Sequence, residues 1–343
     1  MNKKEKRKII FLFAGILTAM IIFGIVLILI EKRMPEETIS DASFLQENPD
    51  REEEEKALGS VKIGGKTYDY FHEYETYLVI GTDDTGKNNV DYQGSMSDFL
   101  MVVVLDKTEN EYSFLPINRD TMTEIRLIQK DGTGQATARL QICTAHWYGG
   151  NEEQSCENTV KAVSGLLGGI PIQGYYSIPM KEIPALNKAV NGVELTLLED
   201  FTKIDKEMVK GRTMTLTDAQ AYHYVHDRYG VGDEENVSRM KRQRQYMEAL
   251  FVKAKAEMQK DRSYANKIVQ EMNSKVTTNL TGKKFSQITK CVIEGKQRGF
   301  FELRGKSRLG QALGDGLDHV EFSVYEDSLI QVMKQLYGLK TRK

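Results

Sequence analysis

Pro116-Ile117-Asn118-Arg119-Asp120-Thr121 joins an arginine and an aspartate directly to a strand-like run, residues 112–117. An Arg-Asp pair at the end of a strand suits a phosphate and its metal ion. Alone the pair is a weak signal, since such pairs are most often solvated ion pairs that contribute little to stability. Its meaning therefore depends on which other charged residues reach the same edge.

Two further strand candidates precede this run. Residues 77–81, 99–105 and 112–117 are each rich in β-branched, aromatic or leucyl side chains. The connection 106–111 is short and polar, which predicts antiparallel pairing of the second and third strands. If the first strand is also an antiparallel neighbour, the end of the first, the start of the second and the end of the third share one edge. The charged residues at those three places are Asp83, Asp98 and the pair Arg119-Asp120.

The carboxylates of this edge suggest a metal site. Carboxylates brought close together repel each other unless a proton or a cation lies between them. Hard oxygen ligands suit Mg²⁺ or Mn²⁺, completed by phosphate oxygens. The alternative is that each aspartate only caps a loop, and that alternative weakens if all three positions meet.

A second charged cluster lies on two helices. Thr217-Asp218-Ala219-Gln220 has the form of a capping box and predicts a helix to about Asp227. A longer helix is predicted from about Ser238, so Arg239 lies in its first turn and opposes the helix dipole. An anion at that helix start makes the placement favourable.

Three arginines near this loop, Arg228, Arg239 and Arg242, can therefore grip a pyrophosphate. The alternative is a solvated basic face that neighbouring acidic side chains balance. On the long helix the spacing predicts two faces. The predicted core stripe is Met240, Met247, Phe251, Ala254 and Met258, and the predicted polar stripe is Arg239, Arg242, Gln243 and Tyr246. Gln243 is predicted to contact the pyrophosphate beside Arg242.

Helices and strands interleave along residues 61–343. Gly64-Gly65 predicts a two-residue hairpin, residues 174–179, 193–198 and 320–325 read as strands, and residues 156–167 and 181–190 read as helices. The fold class predicted is α/β, a single mixed sheet covered by helices on both faces. The C-terminal residues are expected to pack onto the same domain.

The N-terminal residues predict a membrane anchor. Residues 9–30 carry no charge and are long enough to span a bilayer, and Lys3, Lys4, Lys6, Arg7 and Lys8 precede them. We therefore expect a cytoplasmic tail (1–8), a transmembrane helix (9–30), an acidic extracytoplasmic linker (31–60) and an extracytoplasmic domain (61–343). A cleaved signal peptide is the alternative, but residues 31–35 offer no small-residue cut site.

Net charge bears on the kind of ligand that the protein binds, and the three cysteines bear on its disulfide content. The formal net charge is −2, with 47 basic and 49 acidic residues, which gives no support to nucleic-acid binding. Outside the cell, Cys143 and Cys156 can form a disulfide around the turn between them. Cys291 is then expected to be a buried free thiol.

Taken together, these motifs resemble those of the LytR-CpsA-Psr (LCP) family of bacterial cell-envelope proteins, over most of residues 77–250. The residues that carry the resemblance are Gly81-Thr82-Asp83, Ser97-Asp98, Asn118-Arg119-Asp120-Thr121, Asn191-Gly192-Val193-Glu194 and Arg239-Met240-Lys241-Arg242-Gln243. Their order along the chain, behind the predicted anchor, makes the combined signal strong.

The resemblance implies an LCP-like αβα fold and a phosphotransferase in the bacterial cell membrane, of single-pass type II topology. Such an enzyme takes a glycopolymer from a polyprenyl pyrophosphate carrier and joins it to a peptidoglycan hydroxyl. The resemblance assigns Asp83 and Asp98 to Mg²⁺, and Arg119, Arg228 and Arg239 to the pyrophosphate. A metal and an arginine clamp suffice for phosphoryl transfer. Either Asp120 or Asp98 can serve as the base.

Four positions depart from the family pattern. Thr85, Met96 and His226 stand where arginines are usual, and Asn236 stands where an aspartate is expected. His226 can partly replace its arginine when a bound pyrophosphate favours the charged imidazole. These departures keep two rivals open: a lipid-binding or regulatory protein without transferase activity, and a hydrolase of the lipid pyrophosphate.

Overall fold

The structure, a computed structural model, describes residues 56–83, 95–128, 135–149 and 151–342. The predicted cytoplasmic tail, transmembrane helix and most of the acidic linker lie outside these residues, as does Thr85. Among the helices of the described residues, none is long and apolar enough to cross a membrane.

The described residues alternate between strands and helices. The strands, in chain order, are β1 (Gly59–Ile63), β2 (Lys66–Tyr70), β3 (Tyr74–Thr82), β4 (Ser97–Asp106), β5 (Glu111–Ile117), β6 (Met122–Ile128), β7 (Gln135–Gln141), β8 (Gly174–Pro179), β9 (Glu194–Thr196), β10 (Thr213–Thr215), β11 (Thr277–Thr278), β12 (Lys296–Phe300), β13 (Gly305–Gly310), β14 (His319–Val324) and β15 (Lys340–Thr341). The α-helices are α1 (Thr144–Trp147), α2 (Glu152–Leu166), α3 (Ile183–Ala189), α4 (Asp218–His226), α5 (Asn236–Lys260), α6 (Tyr264–Met272), α7 (Gly282–Glu294) and α8 (Glu326–Tyr337).

The central sheet has six strands in the order β11-β8-β3-β4-β5-β12. β3 and β5 both pair antiparallel with β4, with Thr82 opposite Ser97 and Leu100 opposite Ile117. β8 and β12 add parallel strands on either side, so the sheet is mixed. The predicted neighbourhood of the first three strands is confirmed, and their site-bearing ends share one edge.

Both faces of the sheet are buried, which explains the nearly continuous apolar run in β4. On one face Leu78 and Val102 belong to a core that includes Val163 of α2 and Met333 of α8. On the other face, Val103 and Phe114 lie in a second core, against which Phe251 of α5 packs. The prediction of a mixed sheet with helices on both faces is confirmed for the central sheet. The expectation of a single sheet is wrong, because the described residues also form one three-stranded and three two-stranded sheets.

Local signals in the sequence find their expected structures. Gly64 and Gly65 have φ angles of 56° and 73° in the β1–β2 turn, a conformation that favours glycine at both positions. In the capping box of α4, the Gln220 amide N–H donates to the Thr217 hydroxyl and the Thr217 amide N–H donates to the Gln220 side chain. The N-terminal and C-terminal ends of the domain lie side by side, since the last strand, β15, pairs with β2.

The prediction for the faces of α5 is wrong in one respect. The stripe predicted to be polar and exposed is the most buried face of the helix. All four of its residues are buried: Arg239, Arg242, Gln243 and Tyr246. Of the stripe predicted to be core, only Ala254 is buried. The reason is that the last carbonyls of α4 have no partners inside their own helix. Arg242 and Gln243 of α5 donate hydrogen bonds to those carbonyls. Their polar side chains are therefore buried against the C-terminal end of α4.

The predicted Cys143–Cys156 disulfide is also contradicted. All three cysteines are buried free thiols. The Cys143 sulfur lies 3.3 Å from an Arg119 nitrogen, whereas the Cys156 sulfur lies 3.7 Å from Nε2 of His146. Each thiol therefore faces its own polar partner, and the spacing along the chain gave no sign of this.

The C-terminal residues complete the domain, as expected, and reach the edge of the central sheet. The hairpin β13–β14 docks there through the Phe322 amide, which donates to the Asp120 carbonyl at 2.8 Å. The Gln141 side-chain amide also donates to the Val320 carbonyl at 3.2 Å. The hairpin thus forms a wall beside the Arg119-Asp120 pair.

Candidate active site

One cavity of about 710 Å³ opens at the shared edge of β3, β4 and β5. The end of β3, the start of β4, the turn after β5 and the first turn of α5 supply its charged lining. Of the site residues that the sequence predicts, seven line it: Asp83, Asp98, Arg119, Asp120, His226, Arg228 and Arg239.

Asp98 is the centre of this cavity's charge network. Its side chain is only 5% exposed, Arg119 donates to its Oδ1, and the Arg239 NH1 lies 2.9 Å from its Oδ2. One carboxylate therefore holds together two guanidinium groups that would otherwise repel each other. The two arginines come from opposite walls, the turn after β5 and the first turn of α5, and both already contact Asp98 without a ligand.

Arg119 remains charged despite its burial. Burial by itself would lower the pKa of Arg119, but Cys143, Asp98 and Asp120 raise it on balance. Its NH2 group also contacts the Met96 sulfur at 3.1 Å. The guanidinium is thus a permanent cation whose side chain is only 17% exposed, and partial burial strengthens its electrostatic field.

Asp120 is held differently from Asp98. The Asn236 side-chain amide donates to Asp120 Oδ2 at 2.8 Å, and Arg119 Nε lies 3.5 Å from Oδ1. Burial raises the pKa of Asp120, against the opposing effects of Arg119 and Asn236. Asp120 is therefore more readily protonated than an aspartate in water.

Asn236 connects the two walls of the cavity. Its amide nitrogen donates to Asp120, and its carbonyl oxygen accepts from the Arg239 NH2 at 2.9 Å. An amide can serve both partners at once because it offers a donor and an acceptor. The asparagine at this position thus has a definite structural role of its own.

His226 and Arg228 line the rim of the cavity. The His226 ring stacks on Tyr222 at a centroid distance of 4.7 Å, and its Nδ1 lies 2.9 Å from Asp227. The Arg228 guanidinium lies over the ring of Tyr229, 4.6 Å from its centroid. Both side chains are partly exposed, so both can turn towards an anion without breaking a buried contact.

Arg242 and Gln243 are not part of this cavity, contrary to the prediction that they contact pyrophosphate. Arg242 is 1% exposed, donates to the carbonyls of Tyr224 and Asp227 at 2.6 and 2.7 Å, and pairs with Glu199 at 2.8 Å. Gln243 donates to the Val225 carbonyl at 3.1 Å. These side chains satisfy the C-terminal end of α4 instead.

Sequence reasoning missed several residues of the site. Met96 and Cys143 surround Arg119 with sulfur, and only their contacts in the folded chain reveal it. The hairpin wall was also missed, since nothing in β13–β14 carries a motif. The hairpin residues that line the cavity are Leu309, Leu313, Asp318, His319 and Val320.

The donor set of the cavity fits a hard divalent cation. Asp83 and Asp98 both line it, and all their side-chain donors are oxygens, as Mg²⁺ requires. Asp83 Oδ1 accepts from the Met96 amide at 3.0 Å, which orients that carboxylate at the end of β3. Asp83 and Asp98 are therefore the residues of this edge whose chemistry suits a hard cation.

A second, apolar cavity of about 30 Å³ lies on the other side of the same strand ends. Phe99, Ile178, Ile183, Leu186 and Met247 are among its lining residues. Asp98 and Phe99 are adjacent in β4, and their side chains point to opposite sides of the strand. A charged cavity and an apolar one are therefore separated by a single strand.

Comparisons with known proteins agree with this architecture. One relative, the "Polyisoprenyl-teichoic acid--peptidoglycan teichoic acid transferase TagU" of Bacillus mycoides, is 27% identical over 277 residues, 80% of each chain. Among solved structures, "TagT bound to LI-WTA" aligns with a TM-score of 0.57 at 21% identity, over 78% of this chain and 90% of that one. TagV of B. subtilis aligns with a TM-score of 0.56 at 21% identity, over 76% and 96%.

A protein-family model matches a larger part of this chain than these relatives do. The model of the LytR_cpsA_psr family matches residues 40–332, which include every strand of the central sheet and every residue discussed above for the charged cavity. The resemblance noted in the sequence is thereby confirmed, and this chain belongs to the LytR_cpsA_psr family.

Proposed function

We propose that this protein transfers a glycopolymer phosphate from a polyprenyl pyrophosphate carrier to a peptidoglycan hydroxyl, with Mg²⁺, during cell wall assembly. The observation that carries the proposal is Asp98 held between Arg119 and Arg239 in a cavity that Asp83 and Asp120 also line. Family membership and the name of the TagU relative support the same reaction. We further propose that residues 9–30 anchor the protein in the bacterial cell membrane with residues 61–343 outside.

Arg119, Arg239 and Arg228 bind the pyrophosphate in this proposal. A diphosphate entering the cavity meets two buried guanidinium groups and one at the rim. These cations neutralise the charge that develops on the leaving group, the main requirement of phosphoryl transfer. When bound at Asp83 and Asp98, Mg²⁺ supplies further charge neutralisation to phosphate oxygens.

Asp120 is the base that we assign in place of Asp98. Each oxygen of Asp98 already pairs with an arginine, whereas Asp120 has Arg119 and the Asn236 amide as partners. The pKa of Asp120 is raised by burial, so its carboxylate accepts a proton more readily. Asp120 therefore takes the proton of the acceptor hydroxyl as the hydroxyl oxygen attacks the phosphorus atom.

The apolar cavity beside Phe99 suits the first part of the prenyl chain. It lies one residue from Asp98 along β4, and its lining is almost wholly aliphatic, aromatic or methionyl. At about 30 Å³ it must widen to accept isoprene units. The flexible side chains of Met180 and Met247 at its walls make such widening inexpensive.

A binding protein without transferase activity is the second candidate. It is favoured by the sulfur atoms of Met96 and Cys143 that surround Arg119. Met96 stands where the family usually has an arginine. A hydrolase would use the same residues with water as the acceptor. Both alternatives are separate outcomes of one assay.

The test uses purified full-length protein with a lipid-linked glycopolymer, peptidoglycan and Mg²⁺. We expect polymer attached to peptidoglycan together with release of lipid phosphate, and loss of both when EDTA is added. Lipid phosphate without attachment would identify a hydrolase. Tight lipid binding with neither product, across several donor polymers, would reject the enzymatic proposal.

A further inference from the structure

His146, Glu152 and Cys156 form a cluster outside the charged cavity. Their donor atoms all lie within 4.8 Å of one another. His146 belongs to the short helix α1, whereas Glu152 and Cys156 are one turn apart at the start of α2 and so share a face. The Nε2 atom of His146 is 3.7 Å from the Cys156 sulfur and 3.5 Å from a Glu152 oxygen.

The two separations from His146 match the ligand shell of a tetrahedral zinc ion. Zinc binds thiolate at about 2.3 Å and imidazole or carboxylate at about 2.0–2.2 Å. Tetrahedral angles then put sulfur and nitrogen about 3.5 Å apart, and nitrogen and oxygen about 3.4 Å apart. The observed 3.7 and 3.5 Å are close to these values without any rearrangement of the backbone.

The histidine is already oriented for a metal. Its Nδ1 lies 2.8 Å from the carbonyl oxygen of Ser95, and only a protonated nitrogen can donate to that acceptor. In the neutral ring the lone pair therefore belongs to Nε2, which faces the other two side chains. This is the usual arrangement of metal-binding histidines, in which one nitrogen is fixed by a backbone carbonyl.

Burial differs among the three residues in a way that leaves an entrance. His146 and Cys156 are fully buried, whereas the Glu152 side chain is 48% exposed. A cation can thus arrive from solvent along the carboxylate. The fourth position of a tetrahedral shell then faces the exposed side and can hold water.

A catalytic thiol does not explain the cluster. Burial raises the pKa of Cys156, which disfavours the thiolate that a nucleophile needs, although the neighbouring Ser177 hydroxyl opposes the rise. Glu152 and Cys156 also approach the same nitrogen of His146, so the carboxylate cannot orient the ring for the thiol. A simple Glu152–His146 ion pair would leave the position of the buried thiol unexplained.

We propose that His146, Glu152 and Cys156 bind one Zn²⁺ ion, separate from the magnesium proposed at Asp83 and Asp98. The cysteine releases its proton when its sulfur binds zinc. The ion ties α1 to α2 and, through His146, holds the Ser95 carbonyl. The next residue, Met96, donates its amide to Asp83, so zinc stabilises the chain segment that leads into the charged cavity.

The test is a metal titration of the full-length protein, stripped with a chelator and kept reduced. With excess Mg²⁺ present to occupy Asp83 and Asp98, we expect one Zn²⁺ per chain, and one Co²⁺ per chain that gives the near-ultraviolet charge-transfer band of a cobalt–thiolate bond. Cys156→Ser is expected to remove the band. Cys143→Ser and Cys291→Ser are the matched controls and are expected to keep it, as is Asp98→Asn.

Glu152→Gln tests the site without disturbing the core, because this side chain is half exposed. We expect it to weaken Zn²⁺ binding by at least about tenfold, since loss of a partner even one step removed from a metal costs that much. Unfolding temperature should rise with Zn²⁺ in the wild type and less in this variant. A missing cobalt–thiolate band in the wild type, or a band that survives Cys156→Ser, would overturn the proposal.

Discussion

Arg239 and Arg242 lie one turn apart on α5, and both are buried, yet they belong to different parts of the molecule. Arg239 reaches Asp98 across the charged cavity, whereas Arg242 donates to two carbonyls at the end of α4 and pairs with Glu199. The spacing and type of a helical arginine do not reveal which role it has. The acceptor on the facing wall does.

The two arginines also differ in whether their guanidinium groups reach the charged cavity. Burial lowers the pKa of both side chains, with partial compensation by Asp98 in one case and by Glu199 in the other. Arg242 has backbone and carboxylate partners around its guanidinium and does not line the cavity. Arg239 does line it, so we assign ligand binding to Arg239 and helix-end stabilisation to Arg242.

The largest effect is expected at Asp98. Asp98→Asn removes the charge that holds Arg119 and Arg239 together and one proposed magnesium ligand. Metal-dependent turnover in the polymer-transfer assay should fall below detection. Asp318→Asn is the control, because Asp318 lines the same cavity from the hairpin and should keep nearly normal turnover. Equal rates in the two variants would break the distinction between the sheet edge and the hairpin.

The next effect concerns stability at Arg242. Arg242→Met leaves Glu199 and two α4 carbonyls without their donor, and loss of one partner of a buried pair costs about 3–5 kcal/mol. The free energy of unfolding in urea measures this loss. Arg239→Met should cost less, because Asp98 retains Arg119. A larger loss for Arg239→Met would reverse the assignment of the two arginines.

A smaller effect is expected at Asn236. Asn236→Asp adds a negative charge beside Asp120 and removes its hydrogen-bond donor, so the pKa of Asp120 should rise further. The active base is the deprotonated form, hence the acidic limb of kcat/KM should move to higher pH, on the order of one unit. Rates well above that limb should stay unchanged.

Asn236→Ala separates the two contributions, since it removes the donor without adding charge. Its acidic limb should lie between those of the wild type and Asn236→Asp. An acidic limb that stays in place in both variants would assign the base to a group other than Asp120.

The smallest effect is expected from reducing agents. Because Cys143, Cys156 and Cys291 are free thiols, a thiol count after denaturation should give three, and dithiothreitol should leave the unfolding temperature unchanged. A count of one together with a lower unfolding temperature in dithiothreitol would restore the predicted disulfide.

The sequence was most informative where local signals act alone. β-Branched runs predicted the three central strands, Gly64-Gly65 predicted a hairpin, and Thr217 with Gln220 predicted a helix start. Strand pairing then placed Asp98 and Arg119 at one edge. Turn chemistry and strand propensity determine such features over a few residues, so the sequence is enough to predict them.

The wrong predictions concern side chains whose contacts lie far away in the sequence. Arg242 and Gln243 look like cavity residues until the end of α4 is seen to need donors, and Cys143 looks like half of a disulfide until Arg119 is beside it. The hairpin wall has no motif because the hydrogen bonds that dock it use its backbone, through the Phe322 amide and the Val320 carbonyl. Tertiary contacts of this kind leave no periodic trace in the chain.

The most direct test of the central claim is the kcat/KM of Arg119→Ala for polymer transfer, measured beside Arg139→Ala. Arg139 is an exposed arginine of β7 and serves as the matched control. We predict a loss on the order of a hundredfold or more for Arg119→Ala, as for other charge-stabilising donors, with normal rates for the control. A nearly normal rate for Arg119→Ala in a folded protein would contradict the assignment of this edge as the catalytic site.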